Sequence, residues 1–254
     1  MTAFEALVLG IIEGITEFLP ISSTAHLILA GHAFGHLQSD FAKSFDIIIQ
    51  LGAILSVVVL YWEKFWHWDV LKKLVIAFIP TGIVGLTVYR LLKQYLYENI
   101  TVILLALIVG GVALILFDRT SRPTREEIDF SEITYPRALL IGLFQAIAII
   151  PGVSRSAATI VGGSMIGISK RTIVEFSFML AVPTMLAASA YDLYKSQGAL
   201  SGNYGVLGIG FVVSFVTAIV AIKSFLAFIK TRSFAAFGWY RIVLAVVYYL
   251  VIGR

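Results

Sequence analysis

Cysteine is absent from the 254-residue chain, which excludes disulfide bonds and thiol chemistry. Charged residues are scarce, at 13% against 59% hydrophobic residues, whereas soluble domains carry roughly 25% charged residues. The mean hydropathy of +0.93 excludes a water-soluble globule. Alternating segments of about ten residues, typical of a transmembrane barrel, are also missing. The chain is therefore expected to be an all-α integral membrane protein.

Basic residues do not form the long clusters that bind nucleic acid. The net charge is +4, but the lysines and arginines lie between apolar runs, so membrane lipids are the expected partners and nucleic acid is not. The opening stretch MTAFEALVLG lacks the basic region and cleavage site of a signal peptide, and no removable leader is expected.

Six apolar runs are long enough to cross the roughly 30 Å hydrocarbon core of a bilayer as helices. A charged linker divides them three and three. Each set of three is preceded by two shorter segments that proline and hydroxyl residues interrupt, and each such pair predicts a re-entrant helical hairpin. The six runs cover 44–62, 74–92, 99–117, 172–190, 205–222 and 236–252, and the hairpin segments cover 3–18, 20–34, 137–150 and 153–168.

The two halves of the chain resemble each other. GIIEGITEFLPISST is echoed by GLFQAIAIIPGVSRS about 130 residues later. The pattern predicts two repeats, 1–117 and 137–254, joined by a cytoplasmic linker at 118–136. One hairpin plus three crossings begins on one side of the membrane and ends on the other, so the second repeat is expected to be inverted.

The distribution of basic residues predicts the orientation. The positive-inside rule places the linker in the cytoplasm and both termini outside. The hairpins then enter from opposite faces, and their tips near Pro20 and Pro151 meet within the membrane. Arg155 and Arg241 are left inside apolar segments. The face of the linker carries twelve basic residues, Lys64, Lys72, Lys73, Arg119, Arg122, Arg125, Arg137, Lys170, Arg171, Lys223, Lys230 and Arg232, and the opposite face carries five, Lys43, Arg90, Lys93, Lys195 and Arg254.

Polar residues concentrate at the tip of the first predicted hairpin. Glu13 and Glu17 are spaced i, i+4, which places both carboxylates on one face of a helix. Ser22, Ser23 and Thr24 follow the proline break. These hydroxyl residues can cap the returning helix, whose free N–H groups and positive dipole end favour an anion.

A histidine follows the hydroxyl residues closely. His26 lies four residues after Ser22 and three after Ser23. At that spacing the imidazole can act as a base for a hydroxyl or as a proton donor to a leaving oxygen. A lone serine in a membrane helix usually bonds to its own backbone, but two serines beside carboxylates at a hairpin tip favour a functional role.

The second hairpin repeats the arrangement in PGVSRSAAT. Ser154, Arg155, Ser156 and Thr159 follow a Pro-Gly break. Two helix N-termini with an arginine between them predict a site for a phosphate-like group. The nearby carboxylates would repel that group unless a divalent cation bridges them or one carboxyl is protonated.

Other conspicuous residues have more ordinary interpretations. Asp46, Gln50 and Glu175 lie in spans, where substrate contact and helix packing are equally good readings. The tryptophans, together with Tyr61 and Tyr240, predict aromatic belts at the membrane interfaces. The glycines of VGGSMIG at 161–167 predict close helix packing and not nucleotide binding.

The strings EGITEFLPISSTAH, PGVSRSAAT, FDIIIQLGAIL and EFSFMLAVP resemble the bacterial undecaprenyl diphosphate phosphatase family of the bacitracin-resistance type, over nearly the whole chain. The resemblance implies an enzyme of the bacterial inner membrane that removes the terminal phosphate of undecaprenyl diphosphate at the periplasmic face. This reaction recycles the lipid carrier for peptidoglycan synthesis and confers bacitracin resistance. The resemblance also implies a divalent cation, Mg²⁺ or Ca²⁺. Ala25 and Ala157 stand where the family commonly has glycine.

The resemblance carries the family's functional residues onto this chain. The glutamate motif falls on Glu13 and Glu17, the serine-histidine motif on Ser22, Ser23 and His26, and the arginine motif on Ser154, Arg155 and Ser156. The predicted catalytic residues are therefore Glu13, Glu17, Ser23, His26 and Arg155, with Glu13 and Glu17 also as metal ligands, and the predicted substrate contacts are Ser22, Thr24, Gln50, Ser154, Ser156 and Thr159.

Several alternatives stay open at this point. The nucleophile is Ser23, His26 or a metal-held water. A transporter or flippase of polyprenyl phosphate lipids is the main alternative function, because inverted repeats with broken helices are also a transporter architecture. A non-catalytic scaffold leaves the converging charges unexplained. Only an enzyme needs the serine-histidine pair in addition to an anion site. Faces of small residues permit a homodimer without requiring one.

The predicted topology can be tested by single-cysteine labelling, since the chain has no cysteine of its own. We expect Thr2→Cys to react with an impermeant reagent in intact cells and Ser121→Cys to react only after permeabilisation. Equal labelling of the two variants in intact cells would contradict the inverted arrangement.

Overall fold

The computed structural model of the chain describes residues 1–35, 40–96, 99–120, 130–195 and 203–251, with the backbone alone at 40, 89–95, 131, 193 and 195. Within these ranges the chain forms α-helices and one short 3-10 helix, and no strand. The α-helices are α1 Ala3–Thr16, α2 Ser23–Ala33, α3 Asp40–Leu60, α4 Trp62–Phe65, α5 Trp68–Tyr95, α6 Ile100–Thr120, α7 Tyr135–Ile147, α8 Arg155–Met165, α9 Lys170–Lys195, α10 Tyr204–Ile229 and α11 Ala235–Val251.

Parts of the predicted organisation lie outside the described residues. Residues 121–129 of the predicted linker are among them, including Ser121, Arg122 and Arg125, and so is Arg254. The side chains of Arg90, Lys93 and Lys195 are outside as well. The proposed division of the chain into two repeats and a linker therefore stays a prediction.

Local sequence sets where several helices begin. Thr2 caps α1 in a capping box, in which its hydroxyl accepts from the backbone N–H of Glu5 and the Glu5 side chain accepts from the N–H of Thr2. Thr134 caps α7, which has a proline in its first turn, and Asn203 caps α10. These polar residues satisfy N–H groups that have no partner within the helix.

Five helices are long and apolar enough to cross a membrane. They confirm five of the six predicted runs as apolar helices of sufficient length. The sixth run corresponds to α11, an apolar helix of 17 residues that rises about 25 Å, so its crossing stays a prediction. The five candidate spans are Phe41–Leu60, Trp68–Val88, Ile100–Thr120, Lys170–Asp192 and Tyr204–Ile229.

The outer surfaces of these helices are apolar. Leu86 is 72% exposed, Val109 is 66% exposed and Leu116 is 55% exposed. A water-soluble monomer rarely exposes large contiguous apolar patches, whereas lipid tails solvate such side chains. The exposed surface therefore agrees with the composition in placing the helices in a bilayer.

Glycine permits the closest helix contacts. A Cβ added to Gly142 on α7 would lie 2.2 Å from the carbonyl oxygen of Ala77 on α5. Gly111 on α6 and Gly238 on α11 face each other, because a Cβ on either residue would lie 2.6 Å from the carbonyl oxygen of the other. The first helix of each predicted hairpin also packs closely on a long helix. α7 packs against α5, and α1 packs against α10.

Two of the three glycines in the stretch 161–167 pack as predicted, while Gly167 has nothing within 4 Å of an added Cβ. A Cβ at Gly162 would lie 2.3 Å from the ring of Phe144, and one at Gly163 would lie 2.1 Å from the side chain of Ile173. These glycines hold α8 against α7 and α9, which confirms their assignment to helix packing.

Charged side chains gather at one end of the molecule. Lys64 and Arg171 pair with Glu175 at 2.5 and 3.1 Å. The ammonium group of Lys170 donates to the carbonyl oxygen of Arg232 at 2.8 Å. Glu175, which the sequence left between substrate contact and packing, thus belongs to an ion-pair group with Lys64 and Arg171. These residues all belong to the predicted linker face.

Candidate functional site

Each hairpin tip turns on a serine with an unusual backbone. Ser22 has φ 71° and Ser154 has φ 72°, a region that residues with a Cβ rarely adopt. Each serine caps the helix that follows, because its hydroxyl oxygen accepts from the N–H of Ala25 or Ala157. The caps leave the first N–H groups of α2 and α8 available to a ligand.

Glu17 joins the two tips. One of its carboxylate oxygens accepts from Nη2 of Arg155 at 2.8 Å, across 138 residues of sequence. The other oxygen accepts from the hydroxyl of Ser23. A further link runs from the hydroxyl of Ser156 to the carbonyl oxygen of Leu19 at 2.7 Å. The structure therefore brings together Glu17, Ser23 and Arg155, which the sequence predicted as catalytic residues.

Arg155 is held firmly but retains an unused donor. Its Nη1 donates to the carbonyl oxygen of Ser177 at 2.7 Å. The Ser177 hydroxyl lies 2.6 Å from the hydroxyl of Thr159, so Thr159 supports the arginine indirectly. The buried Nε of Arg155 has no hydrogen-bond partner in the described part of the chain. A buried donor of this kind is costly unless a ligand accepts from it.

Glu13 is a buried acceptor group without a donor in the described residues. Its side chain is fully buried, and neither carboxylate oxygen has a hydrogen-bond partner among the residues described. Glu17, Asp46 and Arg155 are close enough to act on its charge. An unpaired buried carboxylate beside a second carboxylate fits a divalent cation, which prefers oxygen ligands. No group of three acidic or histidine side chains that could hold a metal occurs in the described ranges.

His26 is engaged away from Ser23. Its Nδ1 lies 2.8 Å from the carbonyl oxygen of Ser22, and its Nε2 lies 2.8 Å from the hydroxyl of Tyr240. Ser23 donates to Glu17 instead. The direct serine-histidine bond that the spacing suggested is therefore not formed in this arrangement, and the carboxylate occupies the place of the base.

The remaining predicted contacts lie around this junction. The hydroxyls of Ser154 and Ser156 are 3.1 Å apart in the second tip. Thr24, in the first turn of α2, and Gln50, on α3, are half-buried. Their contact with a substrate stays a prediction.

Arg241 is the functional residue that the sequence did not assign. It is fully buried, and Gly110 makes room for it, since a Cβ there would lie 2.1 Å from Nη2. Its guanidinium group donates to carbonyl oxygens of both tips and of α6. A basic residue within an apolar run was the available signal. The acceptors are Pro20, Ala106, Leu107, Gly152 and Val153, at 2.7–3.3 Å.

A family model described as bacitracin resistance protein BacA matches residues 6–247. The chain belongs to the BacA family. This BacA-family chain is 49% identical over 250 residues to the undecaprenyl-diphosphatase of Aquifex aeolicus, with 98% of each chain covered. It is 47% identical over 251 residues to the undecaprenyl-diphosphatase of Wolinella succinogenes, with 98% of this chain and 97% of the relative covered.

Replacement of the buried arginine tests whether it holds the tips of this BacA-family chain. We expect Arg241→Met to lower the stability of the protein by more than about 3 kcal/mol, because the carbonyl oxygens of both tips lose their donor while buried. Thermal unfolding in detergent measures the change. Arg119→Met, at an exposed arginine on the neighbouring α6, is the matched control. Equal melting temperatures for the two variants would contradict the role of Arg241.

Proposed function

We propose that the chain hydrolyses the terminal phosphoanhydride bond of undecaprenyl diphosphate, releasing undecaprenyl phosphate and inorganic phosphate. The junction of the tips carries the proposal: Ser23 donates to Glu17, and Glu17 pairs with Arg155. A hydroxyl, a carboxylate that can take its proton and an arginine that can hold phosphate are the parts that phosphoryl transfer needs. The names of the relatives agree with this chemistry.

Ser23 is the proposed nucleophile and Glu17 its base. The Ser23 hydroxyl transfers its proton to Glu17 as its oxygen attacks the terminal phosphorus. The bond from that phosphorus to the bridging oxygen breaks, and undecaprenyl phosphate leaves with the bridging oxygen. Water then hydrolyses the phosphoserine and returns the hydroxyl. The hydrogen bond from Ser23 to Glu17 supports this assignment over His26, whose two nitrogens are engaged elsewhere.

Arg155 and the two helix N-termini are the proposed phosphate site. The unused Nε of Arg155 and the first N–H groups of α2 and α8 are donors without partners in the helices. They would donate hydrogen bonds to the phosphoryl oxygens and stabilise the negative charge that spreads over these oxygens in the transition state. The guanidinium group would exchange part of its contact with Glu17 for the phosphate as Glu17 takes a proton.

A divalent cation, Mg²⁺ or Ca²⁺, is part of the proposal. Glu13 and Glu17 would hold it, together with phosphate oxygens of the substrate, since Mg²⁺ in such sites commonly uses one or two carboxylates plus phosphate. When bound, the cation supplies positive charge that stabilises the phosphoryl oxygens. The unpaired buried carboxylate of Glu13 supports the assignment, because a buried charge is stable only when it is compensated.

An inverted repeat with two re-entrant hairpins and six crossings is the proposed architecture. Ser22 and Ser154, 132 residues apart, share the same rare backbone conformation. The contacts are also reciprocal, since α1 packs on α10 while α7 packs on α5. The mutual contact of Gly111 and Gly238 is what a two-fold axis between α6 and α11 would produce. Inverted repeats with broken helices at the midplane commonly form membrane sites.

The proposed site faces the periplasm of a bacterial inner membrane. The excess of basic residues on the face of the linker supports a cytoplasmic linker, and the first hairpin, which bears Ser23, then opens outward. In that position the enzyme would return the lipid carrier to peptidoglycan synthesis, and its activity would oppose bacitracin. A homodimer stays a prediction.

Phosphate release separates the enzyme from the lipid carrier. We expect the purified protein with Mg²⁺ to release phosphate from a long-chain polyprenyl diphosphate, and Arg155→Lys to lower kcat by about tenfold to a thousandfold with a smaller change in KM. Lysine keeps the charge but loses the planar fork that orients phosphate. Arg171→Lys, at the ion-pair end, is the control and should keep its activity. No release by the wild type with any lipid diphosphate would favour the transporter.

Cation binding can be followed without turnover. We expect Mg²⁺ or Ca²⁺ to raise the melting temperature of the wild type, because a ligand of the folded state stabilises it. Glu13→Gln should melt higher than the wild type in chelator, since it removes an unpaired buried charge, and should gain little from the cation. An equal cation-dependent rise in both proteins would remove Glu13 from the site.

A further inference from the structure

The hydrogen bonds of His26 define the state of its ring. The carbonyl oxygen of Ser22 can only accept, so the nitrogen 2.8 Å from it, Nδ1, carries a proton. In the neutral ring Nε2 is then an acceptor, and the hydroxyl of Tyr240, 2.8 Å away, is its donor. The Ser22 carbonyl therefore selects one tautomer of His26, and Tyr240, which bonds to the other nitrogen, fixes the orientation of the ring.

The chain of bonds ends at the peptide that precedes the proposed nucleophile. The carbonyl of Ser22 and the N–H of Ser23 belong to the same peptide group. A hydrogen bond to that carbonyl fixes the plane of the peptide and polarises its N–H, since linked hydrogen bonds strengthen one another. The N–H of Ser23 is one of the free donors at the start of α2. Tyr240 thus acts, through His26, on the peptide whose N–H begins α2 at the tip that carries the proposed phosphate site.

The second tip shows that the turn forms without such a pair. Ser154 adopts φ 72° as Ser22 does, and each serine carbonyl accepts from the backbone N–H of the residue four positions later, His26 at 3.3 Å and Ala158 at 3.1 Å. Ala158 has no ring that could add a second bond to the carbonyl, as His26 does. The fold therefore does not need an imidazole to hold this backbone conformation. The His26–Tyr240 pair occurs at the tip that bears Ser23, the proposed nucleophile.

We propose that Tyr240 is a positioning residue of the active site, which through His26 holds the Ser22–Ser23 peptide so that the N–H of Ser23 meets the substrate phosphate. The assignment rests on the proposed phosphatase function. Tyr240 is itself 44% exposed, so the sequence-based prediction of an interfacial belt stays a prediction beside this role. Trp62, Trp66, Trp68 and Trp239 are exposed as a belt would require.

The same two helices provide a matched control. The hydroxyl of Tyr248 lies 2.7 Å from Nδ1 of His32, so α2 and α11 are joined by a second histidine-tyrosine pair. His32 lies near the far end of α2, away from the tip. A tyrosine that only joins the helices should behave alike at both positions, whereas a positioning role predicts an effect on turnover at Tyr240 alone.

The experiment compares phosphate release by the wild type, Tyr240→Phe, Tyr248→Phe, His26→Ala and the double variant Tyr240→Phe/His26→Ala, in one detergent with saturating Mg²⁺. We expect Tyr240→Phe to lower kcat by about tenfold or more with KM within about threefold, as for an interaction that strengthens in the transition state. Tyr248→Phe should stay within about twofold of the wild type. The double variant should be no slower than His26→Ala, because Tyr240 acts through His26.

A spectroscopic arm reports on the pair without turnover. The chain has 4 histidines, and ¹⁵N NMR of labelled histidine, assigned with His26→Ala, distinguishes protonated from unprotonated ring nitrogens. We expect His26 to be protonated at Nδ1 in the wild type, and Tyr240→Phe to shift its Nε2 resonance while His32 stays unchanged. Tyr248→Phe should give the reverse.

The outcomes separate the two proposals. Equal kcat for Tyr240→Phe and Tyr248→Phe, or a double variant whose loss is the product of the single losses, would overturn the role of Tyr240 although phosphate is released. An Nε2-protonated His26 in the wild type would overturn it as well. Absence of phosphate release by the wild type would instead overturn the phosphatase function, while the NMR arm still decides whether the hydrogen bond exists.

Discussion

The structure depends on a buried arginine held by backbone carbonyls. The breaks that end α1 and α7 leave backbone carbonyl oxygens without partners in the helices. A guanidinium group buried among apolar side chains has the opposite need, since its donors must be satisfied. Arg241 resolves both, because its donors reach the carbonyls of Pro20, Gly152 and Val153 as well as those of α6. The distance between the two hairpin tips is thereby fixed, and the site lies at their junction.

The two tips share one backbone conformation but carry different side chains. In each, a serine with φ near 70° caps a helix, and the next residue begins that helix. That next residue is Ser23 in the first tip and Arg155 in the second. Glu17 receives hydrogen bonds from both. The proposed nucleophile and the proposed phosphate-binding group thus occupy matching positions, so two similar halves can form one asymmetric site.

The site keeps its charges only partly compensated. Glu17 is paired, but the Glu13 carboxylate and Nε of Arg155 are buried without partners in the described residues. A protein selected for stability alone would neutralise such groups, whereas an active site keeps them for its ligands. Under the proposed function, substrate phosphate and a divalent cation would carry the two charges that this arrangement lacks. Gln145, at the matching position of the second half, differs from Glu13 because its amide donates to Thr81 and accepts from Thr184.

The sequence by itself predicted the apolar helices, the broken segments between them and the residues Glu17, Ser23 and Arg155 that meet at the tips, because hydropathy, proline breaks and hydroxyl-rich caps are local properties of the chain. It also identified Arg241 as a basic residue within an apolar run. Only the tertiary structure decided the partners: that Ser23 donates to Glu17 and not to His26, and that Tyr240 bonds to His26 across 214 residues. Spacing along a helix limits which neighbours are possible, but hydrogen bonds between helices depend on packing that no local pattern encodes.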